Sequence, residues 1–335
     1  MSLAAAFDIK GWCPGGVRPM PSGDGLLVRV RPWCGAFTLE QAKGLAEIAA
    51  TLGNGHIDLT RRANLQIRGL REEKLPALHD ALGQLGLLAD EAARNVMVDP
   101  LAGPHVRALA FELGRALPDD LPAKFGCLVD GGGPLSISGE RADVALCFTT
   151  EGVAVRVDGE WLGVTDADHA AGAAFGGQRS LSTMTVVPVP GRRQVGRLGG
   201  FTGLAAPFGR IEAGQLQALV ASCAQAGASE IRLSPWRALY VDGAVDVPDF
   251  IVDDSDPLLR IEACPGAPAC ASATVDTRAE ARRLAALGVA GTIHVSGCAK
   301  GCARSAPADL TLVGREGRFG VVRNGTARDP VSLDG

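Results

Sequence analysis

No stretch of this 335-residue chain approaches the length of a membrane-spanning helix, and no excess of one charge is present: 33 Lys and Arg stand against 37 Asp and Glu, a net charge of −4. The first lack argues against a helical membrane protein. The second argues against a general nucleic-acid or membrane-surface binder, whose footprint would be basic. Aromatic residues make up only 4% of the chain, while 21% charged and 47% hydrophobic residues are ordinary globular chemistry. The opening MSLAAAFDIKGWCPGG has no basic segment followed by a long apolar one, and the nine cysteines are odd in number. A reducing cytoplasm is therefore expected, rather than a disulfide framework. No Gly-x-Gly-x-x-Gly motif comes after a strand-like run and no P-loop is present, so no nucleotide site is expected. Reducing equivalents must then come from another protein or a small donor. The length suffices for two or three packed units.

Four cysteines near the C-terminus carry the strongest signal: Cys264 and Cys270 in CPGAPAC, then Cys298 and Cys302 in CAKGC. Four converging thiolates hold a soft metal, zinc or an iron–sulfur cluster. Structural zinc takes tighter knuckles, and a five-residue gap with two prolines fits it poorly. Gly266, Gly297 and Gly301 would let backbone crowd around an inorganic core and offer N–H groups to it. The paired spacing favours such a centre over four scattered core thiols, and Cys13, Cys34, Cys127, Cys147 and Cys223 are not expected among its ligands.

An internal repeat is the second signal. A shift of 174 residues lays Gly35, Gln41, Leu45, Ala50, Gly53, Ile57, Leu59 and Leu65 on Gly209, Gln215, Leu219, Ala224, Gly227, Ile231, Leu233 and Leu239. Each copy reads as strand, amphipathic helix, strand, with Thr38 an N-cap and Gly53 a C-cap in the first. The copies are expected to pack as a pseudo-symmetric pair with a ligand site at the seam. The segments after the two copies also look paired: strand-like runs and a Gly131–Gly133 turn after the first, then the cysteine region, a helix, a strand and a hairpin after the second. Asp158–Gly159 and Arg315–Gly317 read as tight turns. Basic residues cluster at the junctions: Arg61, Arg62 and Arg68, then Arg94, Lys124, Arg192, Arg193, Arg197, Arg237, Lys300 and Arg304. As a set they suit a polycarboxylate, because Arg grips carboxylate as a bidentate fork.

These residues resemble the sirohaem nitrite and sulfite reductase superfamily and, within it, the precorrin-3B synthases of aerobic cobalamin biosynthesis. The cysteines resemble that superfamily's 4Fe–4S ligands, Cys302 matching the one that bridges cluster and sirohaem iron in the reductases. Thr60-x-Arg62-x-x-x-Gln66, Arg94-Asn95-Val96 and Leu121-Pro122-x-Lys124-Phe125 resemble the segments by which the reductases bind anion and tetrapyrrole. Ala63, Gly126 and Lys300 depart from the reductase pattern, which has Gln, Lys and Asn there. CPGGVRPM and IHVSGCAKGCARSAPADLTLVG look like the synthases, whose tetrapyrrole is substrate rather than cofactor.

The resemblance implies an α+β fold: two pseudo-symmetric ferredoxin-like half repeats (20–85 and 195–248) plus two mixed α/β lobes of nitrite/sulfite reductase type (86–185 and 255–335). It implies a monooxygenase that uses dioxygen and an external electron donor to hydroxylate precorrin-3A and close a lactone. A 4Fe–4S cluster on Cys264, Cys270, Cys298 and Cys302 would relay electrons. Arg62, Arg68, Arg94, Lys124, Arg237 and Lys300 would bind substrate, with Arg62, Arg94, Lys124 and Arg237 converging on one cleft that opens toward the Cys302 loop. A mononuclear non-haem iron is a further expectation; His294 and the Asp166, Asp168, His169 cluster are candidates, though a structural role suits both better. Sirohaem belongs to a second reading, a short sulfite or nitrite reductase, and a non-catalytic electron carrier is a third.

Overall fold

The computed structural model describes residues 14–88, 95–118, 120–122, 124–176 and 181–330. Arg94 and Cys13 lie outside them. The described residues divide into two compact units, one formed by Pro14–Pro19 and Val28–Val252, the other by Met20–Leu27 and the described chain from Asp253.

In the larger unit the two repeats interlock through their shortest strands. Arg210–Glu212 of the second copy pairs antiparallel with His56–Leu59 of the first, in the register Arg210↔Asp58 and Glu212↔His56. Ala36–Thr38 of the first copy pairs reciprocally with Glu230–Leu233, Ala36↔Arg232 and Thr38↔Glu230. Each residue in one pairing is its counterpart in the other plus 174, so the duplication read from the sequence is a pseudo-two-fold in the fold. Helices Leu39–Thr51 and Ala213–Gln225 start from capping boxes, Thr38 with Gln41 and Glu212 with Gln215. Their small apolar faces (Ala42, Leu45, Ala46 and Ala49; Leu216, Leu219 and Cys223) are buried in the core. The short pairing strands left no periodic signal in the sequence, being three residues each.

Gly53 does not act as the left-handed cap expected of it. Among the described glycines with positive φ it is Gly55 that comes after the first helix. A Cβ on Gly53 would come 2.5 Å from the Arg68 carbonyl oxygen, so its glycine serves close backbone approach. Gly227 does take φ +75° after the second helix, with Ala228 N–H bonded to the Cys223 carbonyl, the Schellman arrangement.

A sheet in the order Glu160–Thr165, Gly152–Val157, Val144–Thr149, Cys127–Asp130, Val96–Val98 comes after the first repeat. Its last three strands run parallel, and helix Pro104–Ala116 connects two of them. Their apolar faces, with Leu109, Leu113 and Ala170, form a core in which Cys127 and Leu146 are fully buried. The smaller unit repeats this plan. Ile261–Ala263, Ile293–Ser296 and Ala308–Arg315 are parallel neighbours, and Arg318–Gly325 closes the sheet antiparallel.

The two sheets share one register. Val129 pairs with Val98 and Leu146 with Val155; Val295 pairs with Ala263 and Leu312 with Val321. From Cys127 onward the offset is 166 without a gap. Asp158 and Asn324 both have φ 50°. The tight turn at Asp158–Gly159 is present, as is the one at Glu316–Gly317.

Candidate functional site

In the smaller unit, Cys264 comes directly after the parallel strand Ile261–Ala263, where its backbone N–H still bonds the Val295 carbonyl. Its thiol accepts a hydrogen bond from Gly297 N–H at 3.2 Å. A Cβ on Gly297 would meet the Ala273 side chain at 2.5 Å, so only glycine lets the two cysteine segments come together. Gly266, at φ +66°, turns the chain against Thr277, whose hydroxyl donates to the Cys264 carbonyl at 2.6 Å. A Cβ there would stand 2.5 Å from that hydroxyl oxygen. The hairpin turn closing Met20–Ser22 also reaches this loop: a Cβ on Gly23 would lie 2.8 Å from the Cys270 backbone.

Cys298 and Cys302 both feel the charge of the other two thiols. Packing around the Cys302 thiol, in a residue otherwise exposed, raises it to about 11; nearby Lys300 opposes this, and Cys264, Cys298 and Cys270 add to it. Cys298 is raised by burial and by Cys264 and Cys270, against the Lys300 N–H and charge. Cys298 and Cys302 thiols that feel the charge of Cys264 and Cys270, glycines at 266, 297 and 301, and an N–H aimed at sulfur fit an iron–sulfur centre. Among the described residues, no group of three or more His, Cys, Asp or Glu is arranged to hold a metal ion.

His294 is fully buried in strand Ile293–Ser296, and Asp166, Asp168 and His169 lie at the exposed start of helix Ala167–Ala174. Neither belongs to a metal-ligand group among the described residues.

The larger unit holds a sulfur-free counterpart of this loop. By register, Asp99 stands where Cys264 stands, its N–H bonded to the Val129 carbonyl as that of Cys264 is to Val295. Gly131, counterpart of Gly297, donates its N–H to the Asp99 carboxylate at 2.7 Å. Gly132 and Ser136 replace Cys298 and Cys302. Asp130 accepts from Ser136 Oγ at 2.8 Å and Ile137 N at 2.9 Å. Burial, opposed by the Gly131 and Leu101 N–H groups and helped by the Asp130 charge, raises Asp99 to about 6. Hydrogen-bonded carboxylates do here what a metal centre would do in the other lobe: they organise the loop.

The basic residues separate into different environments. Arg62 and Lys124 come together, Arg62 Nη1 donating to the Lys124 carbonyl at 2.9 Å. The Arg62 guanidinium lies over Gly126, where a Cβ would be 2.8 Å from Nη1. Gly126 N–H is held by the Asp143 carboxylate at 2.7 Å, and Asn95 donates to the Phe125 carbonyl. Arg237, at φ 59°, occupies the turn position that Ala63, at φ 50°, occupies in the first repeat, and its side chain crosses Gly209. Lys300 is exposed between the last two cysteines.

Arg68 departs from expectation. It is 4% exposed and its guanidinium lies 3.4 Å from Asp58, which Arg210 also grips through two bonds of 2.7 and 3.0 Å. A cation buried in that network is a structural residue, and Arg68 leaves the substrate-binding set.

Residues 18–85 match the family model described as nitrite/sulfite reductase ferredoxin-like half domain. The structure is similar over 92% of this chain, and 76% of that one, to the Mycobacterium tuberculosis NirA protein, with a TM-score of 0.65 at 20% identity. A Leptolyngbya laminosa ferredoxin–nitrite reductase is 30% identical over a segment covering 38% of this chain and 29% of that protein. A Sinorhizobium precorrin-3B synthase is 31% identical, the match covering 95% of this chain and 83% of that protein. Fold and relatives define a protein of the nitrite/sulfite reductase superfamily, whose named members here are oxidoreductases. Within it, the chain belongs to the precorrin-3B synthase family. No helix among the described residues is long and apolar enough to cross a membrane.

Proposed function

We propose that the protein is a dioxygen-dependent monooxygenase that hydroxylates precorrin-3A with lactone formation, in aerobic cobalamin biosynthesis. The observation that carries this reading is the match to a precorrin-3B synthase over 95% of the chain. The local geometry agrees with a large polycarboxylate rather than a small anion: the space over Gly126 is taken by the Arg62 guanidinium, so no second lysine completes a cage around an anion such as nitrite or sulfite.

Cys264, Cys270, Cys298 and Cys302 would hold a 4Fe–4S cluster, which when bound supplies electrons one at a time. Gly297 N–H would steady the Cys264 sulfur, and the Lys300 charge would offset accumulated negative charge on the thiolates. Arg62, Lys124 and Arg237, with Arg94, would bind peripheral carboxylates of the macrocycle. Hydroxylation places one oxygen atom of dioxygen in the substrate and the other in water, consuming two electrons and two protons from an external donor. Turnover of precorrin-3A by the anaerobically purified protein should start only when dioxygen and a reductant are both added. Turnover at the same rate without dioxygen would overturn the reading.

A further inference from the structure

The two pseudo-symmetric turns that carry the basic residues are both fastened to the first lobe. The first turn runs Thr60–Asn64, with Thr60 N–H bonded to the Asn64 carbonyl and Asn64 N–H to the Thr60 hydroxyl at 3.1 Å. The second runs Ser234–Ala238, with Ala238 N–H bonded to the Ser234 hydroxyl at 3.3 Å. Arg61 and Arg62 belong to the first, Trp236 and Arg237 to the second. The first is held through Arg62 on the Lys124 carbonyl, the second through Glu140. Its carboxylate accepts the Trp236 indole N–H at 3.0 Å. Burial raises its pKa, and the Trp236 bond and the Arg61 charge oppose that.

Glu140 is itself held. Arg156 donates to the carbonyls of Ser138 and Glu140 at 2.8 and 2.9 Å, and its guanidinium stacks 5.1 Å from the Trp161 ring. Glu140 N–H closes a turn onto the Ile137 carbonyl at 2.9 Å. The turn bearing Glu140 is thus fastened to the first lobe through its backbone, and its side chain holds the second repeat's turn to that lobe. A half-buried carboxylate fixed in this way sets the distance between the turns.

We propose that Glu140 is a positioning residue for polycarboxylate recognition: by tying Trp236 to the lobe on which Arg62 is anchored, it fixes the spacing of Arg62 and Arg237, so that carboxylates on a rigid macrocycle meet both. This rests on the reading that Arg62 and Arg237 bind the substrate's carboxylates. A rigid polyanion gains from two cations only when their separation matches its own, and Glu140 sets that separation without touching the ligand.

The test uses the intact protein and uroporphyrin III, a stable polycarboxylate tetrapyrrole, titrated by quenching of tryptophan fluorescence. Glu140→Ala should weaken binding about tenfold, the loss expected for one misplaced charge contact. Glu140→Gln keeps an oxygen for the indole N–H and should recover part of that loss. In the double variant Glu140→Ala with Arg62→Ala, the combined loss should fall well short of the product of the single losses, because both remove the same carboxylate contact. Iron content and melting temperature should match the wild type in all three, which separates positioning from folding. Unchanged affinity in Glu140→Ala, or losses that multiply in the double variant, would overturn the positioning role while Arg62→Ala still weakens binding. If Arg62→Ala itself binds as the wild type does, the substrate-site reading fails first, and the positioning role fails with it.

Discussion

The Arg62 guanidinium and Gly126 occupy each other's space: Nη1 lies 2.8 Å from the point where a Cβ on residue 126 would stand, and it is bonded to the Lys124 carbonyl beside it. Gly126 has no positive φ, so its missing side chain serves the arginine rather than the backbone. Gly126→Ala should therefore push aside the flexible end of Arg62, which holds the one atom closer than 3.4 Å to that Cβ, at a stability cost of about 1 kcal/mol at this buried position. Tetrapyrrole affinity should fall with little change in melting temperature. Equal affinity in the variant would show that the Arg62 position does not matter to binding.

Arg62 and Arg68, close in the chain, should behave in opposite ways. Arg62→Ala removes one ligand contact and should cost roughly 2–5 kcal/mol of substrate binding. Arg68→Ala leaves Asp58 with one of its two cations gone in a buried network, and should cost roughly 3–5 kcal/mol of stability. Denaturant unfolding and ligand titration of both variants would separate the roles, and a stable Arg68→Ala variant would contradict the buried-network assignment.

The sequence made the repeat, the tight turns and the thiolate loop legible because each depends on local signals: helix periodicity, turn dipeptides, cysteine spacing. The reciprocal strand exchange was not legible. Ala36–Thr38 and Arg210–Glu212 gain their identity only from partners in the other copy. Arg68 read as a ligand residue because its burial against Asp58 depends on Arg210, far along the chain in the second copy. The 166-residue offset did leave a trace, since Val129, Gly131, Asp143, Leu146, Val155 and Gly159 recur as Val295, Gly297, Asp309, Leu312, Val321 and Gly325. Asp99 hid because it is one residue out of that register and differs in chemistry from Cys264. Glu140 and Trp236 carried no motif at all.

The register predicts one metal centre per chain. The purified protein should contain about four iron and four sulfide. Cys264→Ser or Cys302→Ser should lose them, and Asp99→Cys should add none, because Gly132 and Ser136 supply no further thiolate. Gly23→Ala should also lower iron content, since its Cβ would strike the Cys270 backbone rather than a movable side chain. Iron and sulfide analysis of the four variants checks this; full loading of Gly23→Ala would contradict the packing.

Asp99 should give the first lobe a pH dependence of definite sign. Its folded pKa of about 6 lies above the ordinary carboxyl value, so its protonated form is favoured in the fold. The stability it contributes is complete below about pH 4 and is lost as pH rises through 6. Relative to Asp99→Asn, the wild type should lose about 3 kcal/mol of stability between pH 4 and pH 7. A stability difference that stays flat across that range would contradict the assignment.

Turnover of precorrin-3A under labelled dioxygen, read by mass spectrometry, bears most directly on the proposed chemistry. The account predicts product carrying one labelled oxygen atom, formation that stops when reductant or the cluster is removed, and no reduction of sulfite or nitrite by the same preparation. Unlabelled product, or robust six-electron reduction of sulfite by the wild-type protein, would contradict it.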